Sequence, residues 1–345
     1  MTSLNYIGKR LRKKDGREKV TGRAIYGQDL VLPRMLYGKI LYSLYPHAKI
    51  RSIDTRKARR VPGVRVILTG DDIPDIRIGF IKYNTPIKKW IVRWTGDEIA
   101  SVAADSEEAD EESLGLIEFD YEELPAVFTP QEALAEGAPI LHEGRKSNRI
   151  DEICRTYCKG DIEEGFAKSD IVLEETYHLQ HMQHCTMGTY FCAASFDASG
   201  RLTVWSPTQV PFILQKDIAN AMGINGRDIR ILQPTIGGAF GKALDMYAFE
   251  VVTVLLAQKA GRPVKIVFTR EEEFSIACKR QAAQITLKHG VKKDGKLMAR
   301  KVDIVMNAGA YVSWGPLSSW TMVQTFGSFY EVPHIDFLCT PVYTN

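Results

Sequence analysis

An α+β fold in two parts is what this sequence predicts, and three observations carry it. Short β-branched runs bounded by Pro and Gly recur along the 345 residues. Fewer segments carry helix signals, and one of them, 243–259, is apolar nearly all round, the mark of a buried helix. A stretch rich in Pro and Gly, with few apolar runs, separates two periodic regions. The expected order is a basic arm at 1–17, a mixed α/β unit at 18–124, a linker at 125–150 and a second unit at 151–345.

In the first unit, 35–44 and 47–53 read as strands on either side of Tyr45-Pro46. Residues 64–68 form a β-branched run between Pro62-Gly63 and Gly70, and 90–104 reads as a bent hairpin around Gly96-Asp97. Residues 105–116 read as a helix capped by Asp105 or Ser106. Glu107, Glu108, Asp110 and Glu111 suit its first turns, and this acidic run predicts an exposed face. A strand at 117–121 follows. The second unit opens with strands at 170–178, 191–196 and 202–206, the last two joined by the turn Asp197-Ala-Ser-Gly200. Pro211 starts and Gly223 stops a helix at 211–222. A strand at 229–232 leads to Gly237-Gly-Ala-Phe-Gly241 and then to the apolar helix, which Gly261 ends. The helix at 211–222 and the strand at 229–232 return the chain to one edge, so Gln209 and Phe240 should lie close together. A strand at 264–268 runs into Thr269-Arg-Glu-Glu272, a capping box. Residues 282–289 and 297–307 bracket the hairpin signal Lys293-Asp-Gly-Lys296. The last strand, 337–343, reads as one that continues into structure beyond this sequence.

Composition narrows the class of function. A chain 45% hydrophobic and 25% charged has too much apolar content to stay disordered. No apolar run reaches the ~20 residues a membrane-crossing helix needs, so no span is expected. The net charge of +3 conceals an asymmetry: residues 1–60 hold 16 Lys/Arg against 4 Asp/Glu. No aromatic-interleaved motif accompanies that charge, so a nucleic-acid partner is not expected. Cys154, Cys158, Cys185, Cys192, Cys278 and Cys339 form no regular framework. With no secretory leader in view they read as reduced thiols of a cytoplasmic protein.

The strongest local element is the strand, glycine loop and apolar helix at 229–259. Small residues around Phe240 let a backbone approach a ligand closely. Free N–H groups at the start of a following helix would favour an anion or an electronegative oxygen. The loop is neither G-x-G-x-x-G nor a P-loop, since Gly241-Lys242-Ala243 lacks the Ser or Thr. The residues fit equally a tight turn that packs a helix on a strand. His178, His181, His184 and Cys185 would gather around a metal only on a helix, and the β-prone run before them turns His181 away from the others. No nucleophile elbow or Ser–His–Asp arrangement stands out.

Lys19-Val-Thr-Gly-Arg-Ala-Ile-Tyr26 with Asp29, Leu36-Tyr-Gly-Lys39, His47-Ala-Lys-Ile50, Val61-Pro-Gly-Val64 and Thr69-Gly-Asp-Asp-Ile73-Pro74 follow one another in order. Gly96-Asp-Glu-Ile-Ala100, Tyr121-Glu-Glu-Leu-Pro125 and Pro139-Ile-Leu-His142-Glu143 continue the series. Together they resemble the α/β hammerhead domain that opens the molybdenum-binding large subunit of the xanthine dehydrogenase and aldehyde oxidase family. Ser206-Pro-Thr-Gln209, Ile236-Gly-Gly-Ala-Phe-Gly241 and Asn307-Ala-Gly-Ala-Tyr311 resemble the first molybdopterin-binding domain of that family. The resemblance implies an oxidoreductase of molybdenum hydroxylase type, acting on an aldehyde, a purine or other N-heterocycle, or an aromatic thioester. It implies that Gln209 lies near an oxygen ligand of molybdenum. It also implies that Gly238, Ala239, Phe240 and Gly241 give backbone contacts to the metal and its dithiolene. The metal would hang from molybdopterin, or from its cytosine dinucleotide, with no side chain of this chain as a direct ligand.

No catalytic residue is expected within these 345 residues. The family's general-base glutamate, its arginine-bearing segment and its second molybdopterin-binding domain would lie past Asn345. The implied partners are a chain carrying that second half, a 2Fe-2S subunit and an FAD subunit. Alone, the chain would be inactive and would expose apolar surface that drives self-association. Two departures from the family stand out. Ala239 precedes Phe240 and Lys242 directly follows Gly241, where the family often reads Gly-Gly-Phe-Gly-Gly-Lys. Gly188-Thr-Tyr190 stands where many members have Glu-Pro-His. Tyr311, Trp314 and Trp320 either line an aromatic pocket or pack in the core. A rival reading of another class is a non-catalytic assembly protein that binds the cofactor or a partner chain.

Overall fold

Seven strands make the largest sheet of the computed structural model, which describes residues 4–313 and 318–345. Their spatial order is Ile229–Leu232, Leu202–Trp205, Phe191–Phe196, Val264–Val267, Leu36–Tyr42, Glu98–Ala104 and Val64–Thr69. The first four come from the C-terminal part of the chain and the last three from the N-terminal part. They join where Leu36, Tyr37 and Gly38 run parallel to Val264, Lys265 and Ile266. Lys265 strengthens the seam, its Nζ donating to the carbonyls of Gln28 at 2.9 Å and Leu30 at 3.0 Å. The helix Ala248–Ala260 lies across strands of both parts, with Val251, Val252, Val254 and Leu256 fully buried. Leu36, Ile40 and Leu68 therefore share one core with Cys192, Val204 and Val264.

The two expected units, on either side of the linker at 125–150, thus share this core. A sheet ending at Val264–Val267 would leave an apolar edge and half a helix face in water; the N-terminal strands cover both. The expected linker is likewise packed. Thr129 caps the helix Pro130–Leu134 through a complete capping box. Val127, Ala133, Leu141 and Ile150 pack with Val342 and Tyr343. Asn148 pins the turns between them, donating to Ala133 O and Pro139 O and accepting from Leu141 N. The Pro and Gly residues of this stretch shape turns on a surface of the core.

The expected hairpin at 90–104 divides between two sheets. Ile91–Val92 pairs with Ala48–Lys49 in a three-stranded sheet completed by Glu118–Glu123, while Glu98–Ala104 enters the large sheet. Gly96 makes the bend at φ 130°, under the Trp94 ring, which leaves no room for a side chain. In the acidic helix Glu107–Gly115, Ser106 is the cap and accepts from Ala109 N. Its acidic run is not uniformly exposed: Asp110 and Ser113 face inward. Among the described residues neither Asp110 side-chain oxygen has a hydrogen-bond partner, and burial pushes its carboxyl up to about 7.

A five-stranded sheet carries the end of the chain in the order Arg155–Lys159, His334–Tyr343, Leu297–Gly309, Ala283–Val291 and Ile171–Leu179. The sequence predicts a terminal strand that runs on into further structure; here that strand is flanked on both sides, and Cys339, Val342 and Tyr343 are fully buried. Of its two edge strands, Arg155–Lys159 and Ile171–Leu179, the second is exposed at every residue. Among the described residues no helix is long and apolar enough to cross a membrane.

Candidate functional site

The chain leaves the large sheet at Ser206, whose hydroxyl donates to the buried Glu250 at 2.6 Å. Glu250 also accepts from Tyr247 N and caps the helix that follows the glycine loop. Burial pushes its carboxyl up to about 7. Three residues after this anchor, Gln209 turns back on the loop. Its backbone N–H donates to Ala243 O at 2.8 Å, and its Oε1 accepts from Gly241 N at 3.1 Å. The expected meeting of Gln209 with the 237–241 loop is therefore present. The side chain of Gln209 is exposed, and among the described residues its Nε2 donates to nothing.

The loop backbone is unusual. Gly238 and Gly241 have φ 106° and 95°, and Phe240, which is not glycine, has φ 53°. Ala239 is buried and anchors the loop, while the Phe240 ring stays 77% exposed. A left-handed non-glycine residue costs about 1–2 kcal/mol and persists only where its surroundings over-determine it. One expectation needs correction. The following helix begins at Ala248, not 243, because Tyr247 and Glu250 form its capping box. Residues 242–247 intervene, so the loop does not sit on a helix N-terminus. The close approach of main chain remains possible without the helix dipole.

Lys242 belongs to this site and sequence reasoning missed it. Its side chain is 1% exposed and ion-pairs with Glu273, which is 0% exposed. Its Nζ also donates to Thr186 Oγ1 at 2.6 Å and Gly188 O at 3.0 Å. Arg270 holds the same segment, donating to Thr186 O at 2.8 Å and Met187 O at 2.6 Å. The one sequence signal was a lysine bracketed by Phe240, Ala243 and Leu244. Met187 N donates to Gly237 O at 3.1 Å, so the 186–188 segment lies directly against the glycine loop. Gly188, where the family pattern departs, is part of this contact: a Cβ at Gly237 would stand 2.4 Å from Gly188 N.

Beyond the loop, a cleft of about 670 Å³ opens, lined among others by Glu98, Tyr247, Phe249, Cys278, Tyr311 and Asn345. Tyr311 thus does line a pocket, with its hydroxyl donating to Asp97 Oδ2 at 3.1 Å. Lys88 lies between Asp97 and Glu98, at 3.2 and 2.7 Å, and 5.2 Å from the Tyr311 ring centroid. Trp320 is on the surface, stacked under Arg155, and Trp314 lies outside the described residues. His178 sits on the exposed edge strand, whereas His181 and His184 bond separately to the backbone at Arg280 and Cys278. Among the described residues no group of three or more His, Cys, Asp or Glu could hold a metal ion. An anionic, oxygen-bearing group suits what the site does offer: a free amide donor and a glycine backbone open to close approach.

Residues 141–345 match the molybdopterin cofactor-binding domain, and residues 21–125 match the aldehyde oxidase and xanthine dehydrogenase a/b hammerhead domain. The chain is 39% identical to a probable xanthine dehydrogenase subunit of Bacillus subtilis, over 96% of this chain and 44% of that one. It is 35% identical to the nicotinate dehydrogenase large molybdopterin subunit of Eubacterium barkeri, over 98% of this chain and 79% of that one. Among solved structures, the aldehyde oxidoreductase of Desulfovibrio gigas superposes with a TM-score of 0.89 at 27% identity, covering 96% of this chain and 38% of that one. The chain thus spans less than half the length of two of these relatives and most of the third. It belongs to the aldehyde oxidase and xanthine dehydrogenase family and carries that family's hammerhead and molybdopterin cofactor-binding domains.

Proposed function

We propose that this chain supplies half of the molybdenum cofactor site of a hydroxylase-type oxidoreductase. One observation carries the reading: Gln209 and the 237–241 loop meet through the Gly241 N–H···Oε1 bond, beside an exposed Phe240 held at positive φ. When bound, the molybdenum–molybdopterin group, in its plain or cytosine dinucleotide form, would supply two-electron redox chemistry. The chain's own part is to bind and orient. Gln209 Nε2 offers a hydrogen bond to an oxygen of the group, and the backbone of Gly238, Ala239, Phe240 and Gly241 lets it approach closely. The phenyl ring of Phe240 would exclude water on one side. The acid–base step is assigned to residues outside this sequence.

Relatives named as a xanthine dehydrogenase subunit and as a carbon monoxide dehydrogenase large chain support a multi-subunit setting, in which 2Fe-2S and FAD subunits would carry electrons away. Substrates of the expected classes are aldehydes, N-heterocycles and aromatic thioesters. Six unpaired cysteines support a reducing, cytoplasmic compartment. The test is metal and pterin analysis, with dye reduction on those three substrate classes, of this chain alone and with its partner subunits. About one molybdenum per chain and turnover in the assembly alone is the expected result. A partnered assembly with neither pterin nor turnover would favour the non-catalytic binding role.

A further inference from the structure

We propose that Lys242 is the positioning residue of the cofactor cradle: its buried ammonium locks the 237–241 loop to the 186–188 segment and holds the Phe240–Gly241 backbone in place. The inference rests on the reading of that loop as a cofactor site. An ammonium has three N–H donors, and Lys242 uses all of them, on Glu273, Thr186 Oγ1 and Gly188 O. The Tyr190 ring lies 4.6 Å from the same Nζ. Its other end is clamped as well. Lys242 N donates to Ala239 O at 3.0 Å, and Lys242 O accepts from the hydroxyls of both Tyr190 and Tyr247. Glu273 in turn accepts from Tyr190 N at 2.8 Å, so cation and anion are both tied to the start of the strand Phe191–Phe196.

A buried ion pair is a poor device for stability, since an apolar pair of like volume often does as well. What it can do is fix a geometry, and the geometry here needs fixing. Phe240 sits at φ 53°, and the backbone of Gly188 lies so close that Gly237 has no space for a Cβ. Gly241, whose N–H reaches Gln209, is the residue directly before Lys242. A loosened Lys242 would release that bond and let Phe240 relax out of the left-handed region.

The test is the double variant Lys242→Met/Glu273→Leu, which removes both charges at similar volume. It should be made in the assembly that carries this chain and compared with the single variant Thr186→Val. Three quantities are read: the thermal midpoint, amide hydrogen exchange at residues 238–242 in cofactor-free protein, and molybdenum and pterin content. We expect the double variant to unfold within a few degrees of the parent. Exchange at Gly241 should rise about tenfold, through local opening of the loop, and cofactor content should fall severalfold. A folded double variant with parental exchange and parental cofactor content overturns the proposal. If the double variant does not fold, Thr186→Val decides: it keeps the ion pair and removes one acceptor, and unchanged exchange at 238–242 overturns the proposal. A parent assembly without molybdopterin would refute the cofactor reading instead, while the exchange comparison still judges Lys242.

Discussion

Gly237→Ala strikes the site at its tightest contact. The new Cβ would stand 2.4 Å from Gly188 N and 2.9 Å from Gly188 Cα. Both are backbone atoms, so no side chain can swing aside. To reach an ordinary contact of 3.4 Å the two segments must part by 3.4 − 2.4 = 1.0 Å. That movement stretches the Met187 N to Gly237 O bond, now 3.1 Å, past useful length and carries the cradle with it. A displacement of 1 Å near reacting groups can cost ~10²-fold, so turnover of the assembled enzyme should fall about a hundredfold. Stability should fall by only about 1–3 kcal/mol, the usual cost of overpacking. Gly188→Ala is the internal control, because its Cβ would meet Gly237 N at 3.3 Å and needs a shift of a few tenths of an ångström at most. It should cost less than about threefold on the same scale. The assay is metal and pterin per chain, dye-reduction rate and thermal unfolding for both variants. Parental metal content and rate in Gly237→Ala, or greater damage from Gly188→Ala, would refute the reasoning.

Gln209→Ala removes the acceptor of Gly241 N–H from an exposed side chain, so it should cost about 1 kcal/mol of stability yet lower turnover at least severalfold; unchanged turnover in the assembly counts against its role. Asp110→Asn should give a pH-dependent gain in stability. Burial raises the carboxyl from 3.8 to about 7, so the native state holds the proton more tightly than the unfolded chain. The stability this brings is whole below about pH 4 and is lost as pH rises through 7. The amide has nothing to ionise, so the variant should match the parent at pH 4 and exceed it by about 2–4 kcal/mol at pH 8; an equal gain at both pH values, in denaturant titrations, would show that the buried charge is not the cause.

Local signals were legible because they act within a few residues. Pro211 and Gly223 bound the helix Pro211–Met222, and Thr269 with Glu272 starts the next one. The strands Phe191–Phe196 and Ile229–Leu232 stand where their β-branched and apolar runs put them. Gln209 and the glycine loop were placed together by counting the elements that separate them. The failures are of two kinds. Where charge dominates a segment, an inward residue is hidden: Asp110, Ser113 and Ile117 share the inner face of the acidic helix and its exit, yet the run reads as solvated. Where a contact joins distant residues, no local pattern reports it. Lys242 with Glu273, Gly237 with Gly188 and Leu36 with Val264 are contacts of this kind. They are the ones that shape the site.

Strand register is the link between the large sheet and the cradle. Val267 pairs with Phe191 in antiparallel sense, and Phe268 N continues the ladder to Tyr190 O at 2.9 Å. That register places Tyr190 beside the residue that leads into the helix Arg270–Ser275. Thr269 caps this helix, and its first turns bring Glu273 back to Tyr190 N. Glu273 then meets Lys242 from beneath the glycine loop. Because side chains alternate along a strand, a slip of one residue would turn Tyr190 and Glu273 away from each other and leave the ammonium unpaired. The pairing of Leu36–Tyr42 with Val264–Val267 guards against that slip from the other side of the strand. The strand Leu36–Tyr42 therefore acts on the site through register: its pairing holds in place the strand that sets Glu273 under Lys242.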